Sequence, residues 1–311
     1  MTSSAPASIL VDWGTTNFRA YLLDGQGNCL AEKSAPSGIS QINGKFEFTL
    51  NVNIGDWLKQ YGELTVVLAG MIGSQIGWKN TPYVDCPAAV NGYGQYGVQV
   101  PEFNNGNCWI IPGMKQETSD GKVDVMRGEE LQVIGASLLA GNVDATYCCP
   151  GTHNKWVQVK NGEIQTISTA MTGEMFALLS DHSILANSLV KTSEPDEAAF
   201  MKGLEYSQQP GGLLNHIFSV RTQFVTGKQD TSAGAGYLSG ILIGHEVRAF
   251  IEAGGNNTGT CHIIGSSGLS KLYQTAMNHF GISNALVADK DASIAGANSL
   301  IQTLKDKLCH S

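Results

Sequence analysis

Charge is scarce in this sequence, and positive charge scarcer still. Charged residues make up 15% of the 311, with 19 Lys and Arg against 27 Asp and Glu, for a formal charge of −8. A nucleic-acid surface needs clustered Lys and Arg, so that class of partner is argued against. Anionic ligands stay open, because helix N-termini and backbone amides hold phosphate without net positive charge. Long apolar runs are also missing. None approaches the ~18–20 residues of a membrane span, and Met1 to Ser8 carry no basic segment. The expected location is the cytoplasm, with no membrane partner. The seven cysteines are odd in number, lack any CxxC spacing and include the adjacent Cys148 and Cys149. They read as reduced, mostly buried thiols, not as a disulfide or zinc framework. There is no P-loop, since Gly44-Lys45, Gly121-Lys122 and Gly227-Lys228 are not followed by Ser or Thr. No Pro-rich or charged linker divides the chain, although its length suggests about two domains.

What the chain has in excess is glycine, 37 of 311 residues. The glycines are not periodic and sit at turns and within apolar segments, as where backbones pack closely on ligands or on each other. Three antiparallel strands are expected at Ile9–Trp13, Phe18–Asp24 and Cys29–Lys33, with Gly25-Gln26-Gly27-Asn28 as a turn. A helix over Lys45–Tyr61 places Phe46, Leu50, Ile54, Trp57 and Leu58 on one face. A buried strand at Leu64–Ala69 is followed by a long Gly- and Asn-rich loop from Gly70 to Phe103, and a strand at Cys108–Ile111. After a helix at Gly128–Ala140, a second strand set runs through Ala145–Cys149, Trp156–Val159 and Glu163–Ser168. Helices follow to about residue 252, then strand Cys261–Ile264, helix Leu269–Phe280, strand Ala285–Val287 and helix Ala292–Lys307. The order strand–strand–strand–helix–strand occurs once per half, without sequence repetition. The expectation is an α/β chain with domains at 1–142 and 143–291 around a cleft, and helix 292–307 returning to the first.

Four constellations carry chemistry. In Asp12-Trp13-Gly14-Thr15-Thr16-Asn17-Phe18-Arg19 a Gly-Thr-Thr turn joins two strands. Gly14 lets the backbone approach a phosphate, the Thr hydroxyls and turn amides donate to it, and Asp12 can hold hydrated Mg²⁺. The plainer alternative is a polar hairpin with a buried Asp. Pro150-Gly151-Thr152-His153-Asn154-Lys155-Trp156 opens the second half the same way, with Lys155 as a point charge. A hairpin again competes, and His153, a lone histidine, reads as structural. Gly265-Ser266-Ser267-Gly268 is a small-residue turn before a helix that suits passage of an adenosine. Asp124-Val125-Met126-Arg127-Gly128-Glu129-Glu130 puts carboxylates near a helix start, where the dipole favours them, whether for catalysis or for capping alone. Gly234–Gly240 mimics a dinucleotide fingerprint but follows no strand, so it reads as a packed helix.

In order, these elements resemble the sugar-kinase/heat-shock/actin ATPase superfamily, which implies a two-domain actin/hexokinase-like (ribonuclease H-like) fold. A closer likeness, to the 2-dehydro-3-deoxygalactonokinases, rests on Gly70-Met71-Ile72-Gly73-Ser74 with Gly77-Trp78 and Tyr83, on Met126–Glu130, on Pro150–Trp156, and on Met171-Thr172-Gly173-Glu174. The resemblance implies transfer from ATP, with Mg²⁺, to the 6-hydroxyl of 2-dehydro-3-deoxy-D-galactonate in galactonate breakdown. Residues expected at ATP are Asp12 (also the metal ligand), Gly14, Thr15, Thr16, Asn17, Arg19, Gly151, Thr152, Lys155, Gly265, Ser266 and Ser267. Those expected at the sugar acid are Ser37, Gly38, Gly70, Met71, Gly73, Ser74, Trp78 and Tyr83, with Arg127 able to reach its carboxylate. The hexokinase Asn-Asp base dipeptide is absent. Glu129 takes the base position, Asp124 is the alternative, and Glu130 points about 100° away around the helix. The rivals are a kinase of another sugar or sugar acid, and an actin-fold ATPase or regulator acting through partners. A repressor-type regulator should carry an added helix-turn-helix, and with eight residues ahead of the first strand none is expected at the N-terminus. A homo-oligomer is compatible with everything above.

Overall fold

Strands form where apolar residues run without a break, and helices where they recur every three to four positions. The computed structural model describes residues 5–141, 144–191, 196–255, 259–265 and 267–309. The chain opens with β1 (Pro6–Trp13), β2 (Phe18–Asp24) and β3 (Cys29–Ala35), then α1 (Phe46–Tyr61) and β4 (Thr65–Gly70). Short strands β5 (Val84–Asp85), β6 (Ala88–Ala89) and β7 (Val98–Gln99) punctuate the Gly- and Asn-rich stretch before β8 (Cys108–Ile110). A hairpin of β9 (Met114–Glu117) and β10 (Val123–Met126) leads into α2 (Glu129–Leu139). Then come β11 (Ala145–Cys149), β12 (Asn154–Lys160), β13 (Glu163–Ala170), α3 (Thr172–His182), α4 (Glu197–Ser207), α5 (Gly212–Val225) and α6 (Thr231–Glu252). The chain closes with β14 (Cys261–Ile264), α7 (Ser267–His279), β15 (Asn284–Val287) and α8 (Asp289–Cys309). The β9–β10 hairpin was not foreseen, although Asp120-Gly121 marks its turn, and α8 starts at Asp289, ahead of the expected 292.

The chain divides into two units. Unit 1 is Met1–Asp144, Val157–Ser168 and Ala288–Ser311; unit 2 is Ala145–Trp156 and Thr169–Val287. Unit 1 is built on a mixed sheet of order β3-β2-β1-β4-β8-β7. Its pairings β1–β2 and β2–β3 are antiparallel, while β1–β4 and β4–β8 are parallel. Ile9, Val11 and Trp13 of β1 join Leu50, Ile54 and Trp57 of α1 in one core cluster. Leu10, of opposite parity in the pleat, is also fully buried, and α8 lies against β1 and β4. α2 and α8 cross at backbone contact: a Cβ on Gly135 would stand 1.8 Å from the Ala292 carbonyl oxygen, and one on Gly296 2.2 Å from that of Leu131.

In unit 2, β11 pairs parallel with β14, and β14 with β15. Cys148, Trp156, Phe200, Val247, Cys261, Ile263 and Tyr273 share its main cluster. α6 is buried from Gly234 to Gly244 and closes on α4, where a Cβ on Gly240 would meet the Phe200 carbonyl oxygen at 2.1 Å. The glycines of Gly234–Gly240 therefore serve helix packing. Among the described residues, no helix is long and apolar enough to cross a membrane.

Candidate active site

Asp12, the residue before the end of β1, is in register with Arg19 on β2 and with Ala69 on β4. Beyond it the chain turns through Gly14–Asn17, closed by Gly14 N–H donating to the Asn17 carbonyl at 2.9 Å. The Thr15, Thr16 and Asn17 side chains are exposed. Ser37–Ser40 runs alongside and braces this turn. Gly38 N–H bonds the Thr16 carbonyl and Ser40 N–H that of Thr15, both at 3.1 Å, and the Trp13 indole donates to the Ser37 carbonyl at 2.8 Å. Any side chain at 38 would collide with Thr15 and Thr16, so Gly38 holds the turn. Arg19 pairs with Asp289, the first residue of α8, at 3.3 Å. Burial pushes the Asp12 carboxyl above its usual range; Arg19 opposes the rise and Asp289 adds to it. A carboxylate so placed is relieved by a cation. Mg²⁺ fits this donor, because it prefers oxygen ligands and uses one or two carboxylates beside water and phosphate. Among the described residues there is no cluster of three or more His, Cys, Asp or Glu, as an all-protein metal cage would need.

Gly70 ends β4 with φ +92°, where a Cβ would stand 2.9 Å from the Trp13 carbonyl oxygen and 3.4 Å from the Asp12 carboxylate. Gly128, the residue before α2, has φ +109° and its Cβ position lies 3.3 Å from Gly70 Cα. Two left-handed glycines thus bring the head of α2 to the end of β1. At that head, the Arg127 N–H donates to Glu129 at 3.1 Å, and the Gly128 N–H to Glu130 at 2.7 Å. Glu130 is fully buried, and desolvation followed by the Glu129 charge pushes it up to about 8. Asp124 is on β10, outside the helix, where it accepts from the Val125 N–H at 2.8 Å.

Arg127 donates to the Thr81 hydroxyl at 2.6 Å and to its carbonyl at 3.0 Å, and lies 4.4 Å from the Tyr83 ring centre. Its buried Nε has no partner, and its charge acts on the neighbouring Glu130. Thr81 in turn bonds the Gly73 carbonyl, and a Cβ on Gly73 would meet both Thr81 and Arg127 at 2.8 Å. The Ser74 hydroxyl is buried without a partner. Met71 and Trp78, expected at the substrate, pack against the core, Trp78 stacking on Phe46.

Unit 2 holds a pocket of about 440 Å³. Gly151, Thr152, Thr172 and Gly173 line it together with largely apolar side chains such as Leu242, Ile243, Leu269 and Leu272. Gly173 fits because a Cβ there would stand 2.4 Å from the Gly151 carbonyl, and Glu174 N–H bonds the Thr152 carbonyl at 3.0 Å. His153 has a partner after all, Glu174 at 2.5 Å. Lys155 is buried, donates to Thr169 at 2.9 Å, and is not among the lining residues. Gly265 lies beside Pro150, at 3.9 Å from its Cβ position, so the second and third sequence motifs meet. Ser266 lies outside the described residues. Ser267 heads α7, its side chain undescribed. Beside Gly265, the Ser270 hydroxyl is buried without a partner.

The model of the 2-keto-3-deoxy-galactonokinase family matches residues 12–300. The chain belongs to that family. The 2-dehydro-3-deoxygalactonokinase of Escherichia coli (strain K12) is 36% identical over 293 residues, covering 94% of this chain and 96% of its own. A crystal structure of a Sinorhizobium meliloti protein assigned as a 2-dehydro-3-deoxygalactonokinase superposes with TM-score 0.88 at 30% identity, covering 96% of this chain and 99% of that one. The component A of (R)-2-hydroxyglutaryl-CoA dehydratase from Acidaminococcus fermentans, TM-score 0.50 at 12% identity over 96% of this chain and 98% of that one, shares the fold alone. This 2-keto-3-deoxy-galactonokinase family member is thus a kinase with the actin/hexokinase-like α/β fold.

Three residues of the two regions escaped the sequence reading. Thr81 gave no local signal, and Asp289 was placed outside the last helix. Glu246, whose carboxylate accepts from Asn154, Trp156, Thr172 and Tyr273, did leave a trace: an acid next to the apolar Val247 and one turn beyond the apolar Leu242.

Proposed function

We propose that this chain transfers the γ-phosphoryl group of ATP to the 6-hydroxyl of 2-dehydro-3-deoxygalactonate, a cytoplasmic step of galactonate breakdown. The observation that carries it is the unit 2 pocket, whose apolar walls suit a purine and whose Gly151, Thr152, Thr172 and Gly173 lining suits phosphates. There the Gly151–Thr152 turn meets the N-terminus of α3, where the helix dipole favours anions. Unit 1 would take the sugar acid. Arg127, oriented by Thr81 and Tyr83 and with its buried Nε unpaired, supports recognition of the acid group by charge-assisted hydrogen bonds. Asp12 would hold Mg²⁺, which when bound neutralises charge on the phosphates. Glu129 would align the acceptor hydroxyl and take its proton, at the head of α2 beside the Gly70 turn.

A coupled ADP-release assay tests this with the sugar acid, its amide, and a neutral hexose. The acid is expected to be turned over, the amide and the hexose to lose most of kcat/KM, and Asp12→Ala to lose most of kcat. Equal efficiency on the neutral hexose would refute the acceptor assignment, and near-normal kcat for Asp12→Ala would refute the metal role.

A further inference from the structure

We propose that Glu246 is a positioning residue for the nucleotide pocket: its buried carboxylate binds together the elements that form the pocket and so sets affinity for adenine nucleotide. The inference rests on reading that pocket as the ATP site. Glu246 lies on α6 one turn beyond Leu242, which lines the pocket. One carboxylate oxygen accepts from the Asn154 amide and, at 2.7 Å, from the Trp156 indole, both on β12. The other accepts from the Thr172 hydroxyl at the start of α3 and, at 2.6 Å, from the Tyr273 hydroxyl on α7. Thr172 and Tyr273 are themselves pocket walls. Asn154 and Trp156 follow on the Gly151–His153 turn, whose first two residues line the pocket. One side chain thus reaches from α6 to the start of β12, to α3 and to α7.

Packing alone does not call for this residue. A carboxylate in an apolar helix interface is costly to desolvate, and only complete hydrogen bonding offsets that cost. Leu at 246 would satisfy the packing of α6 and take from four side-chain donors the one acceptor they share, leaving the Asn154 amide only the Cys148 sulfur. Gln is different. Its oxygen accepts from Asn154 and Trp156, and its amide donates to the two hydroxyls, which accept as readily as they donate. The clasp therefore needs the shape and the bonds, and Gln preserves both.

The test measures the ADP dissociation constant by calorimetry, with KM for ATP and for the sugar acid, on the full chain. Glu246→Ala is expected to raise the ADP constant and the ATP KM at least about tenfold, and Glu246→Gln by less than about threefold. The sugar-acid KM should stay within about twofold in both. Should Glu246→Ala not fold, Trp156→Phe decides: it removes one donor outside the pocket lining, keeps an aromatic ring on Phe250, and should weaken ADP several-fold. ADP affinity unchanged in these variants, equal loss in Gln and Ala, or a parallel rise in the sugar-acid KM would each overturn the proposal. Ala177→Trp separates the two claims by filling the pocket. If it leaves ADP binding intact, the pocket is not the nucleotide site and both fall. If it abolishes binding while the Glu246 and Trp156 variants bind normally, only the role of Glu246 falls.

Discussion

Glu129 and Glu130 are neighbours in sequence with opposite environments: Glu129 is half-buried at the head of α2, while Glu130 is fully enclosed. Burial, then the Glu129 charge, lift Glu130 from 4.5 to about 8. Below pH 4.5 it is protonated folded or unfolded. Between there and about 8 the unfolded chain loses its proton first, so stability falls as pH rises, by a few kcal/mol in order of magnitude. Gln has the same shape and never ionises. The melting temperature of Glu130→Gln should therefore gain on the wild type steadily from pH 5 to 8.5; a constant difference would show that Glu130 is not held neutral. For Glu129 the expectation is catalytic. Glu129→Gln should lower kcat by roughly 10²–10⁴ with little change in ATP KM, and Asp124→Asn, on its strand, by much less. Single-turnover rates in the reverse order would move the base to Asp124.

At the scale of elements, the helices are held by glycines at crossings. Gly135 on α2 faces the Ala292 carbonyl of α8 with no room for a methyl group, and the obstacle is backbone, which cannot rotate away. Gly135→Ala should cost at least about 2 kcal/mol in urea unfolding, at the upper side of usual overpacking costs. Gly25, in the turn after β2, has nothing within 4 Å of its Cβ position and no positive φ. Gly25→Ala should be neutral or stabilising by a few tenths of a kcal/mol. Equal effects at the two sites would mean that the α2–α8 contact yields.

For the whole molecule, the proposal divides the ligands between units, and amide hydrogen exchange reads this directly. ADP should slow exchange at Gly151–Thr152, at the start of α3 and along α7; the sugar acid should slow it at Gly70–Ser74 and around Arg127. Protection by ADP confined to unit 1 would reverse the assignment. Much of the fold was legible in the chain: the three-stranded opening, α1, the turns at Gly14–Asn17 and Gly151–His153, and the helical nature of Gly234–Gly240. Those features are written in near neighbours, through apolar period and turn chemistry, and these the sequence determined by itself. Only the tertiary structure decided that Arg19 pairs with Asp289, 270 positions away, that Gly70 abuts Gly128, and that Glu246 gathers donors as far off as Asn154, 92 positions away. A hydrogen bond between such residues leaves no periodic trace in either segment, because its geometry exists only once the sheets and helices that carry both ends have packed.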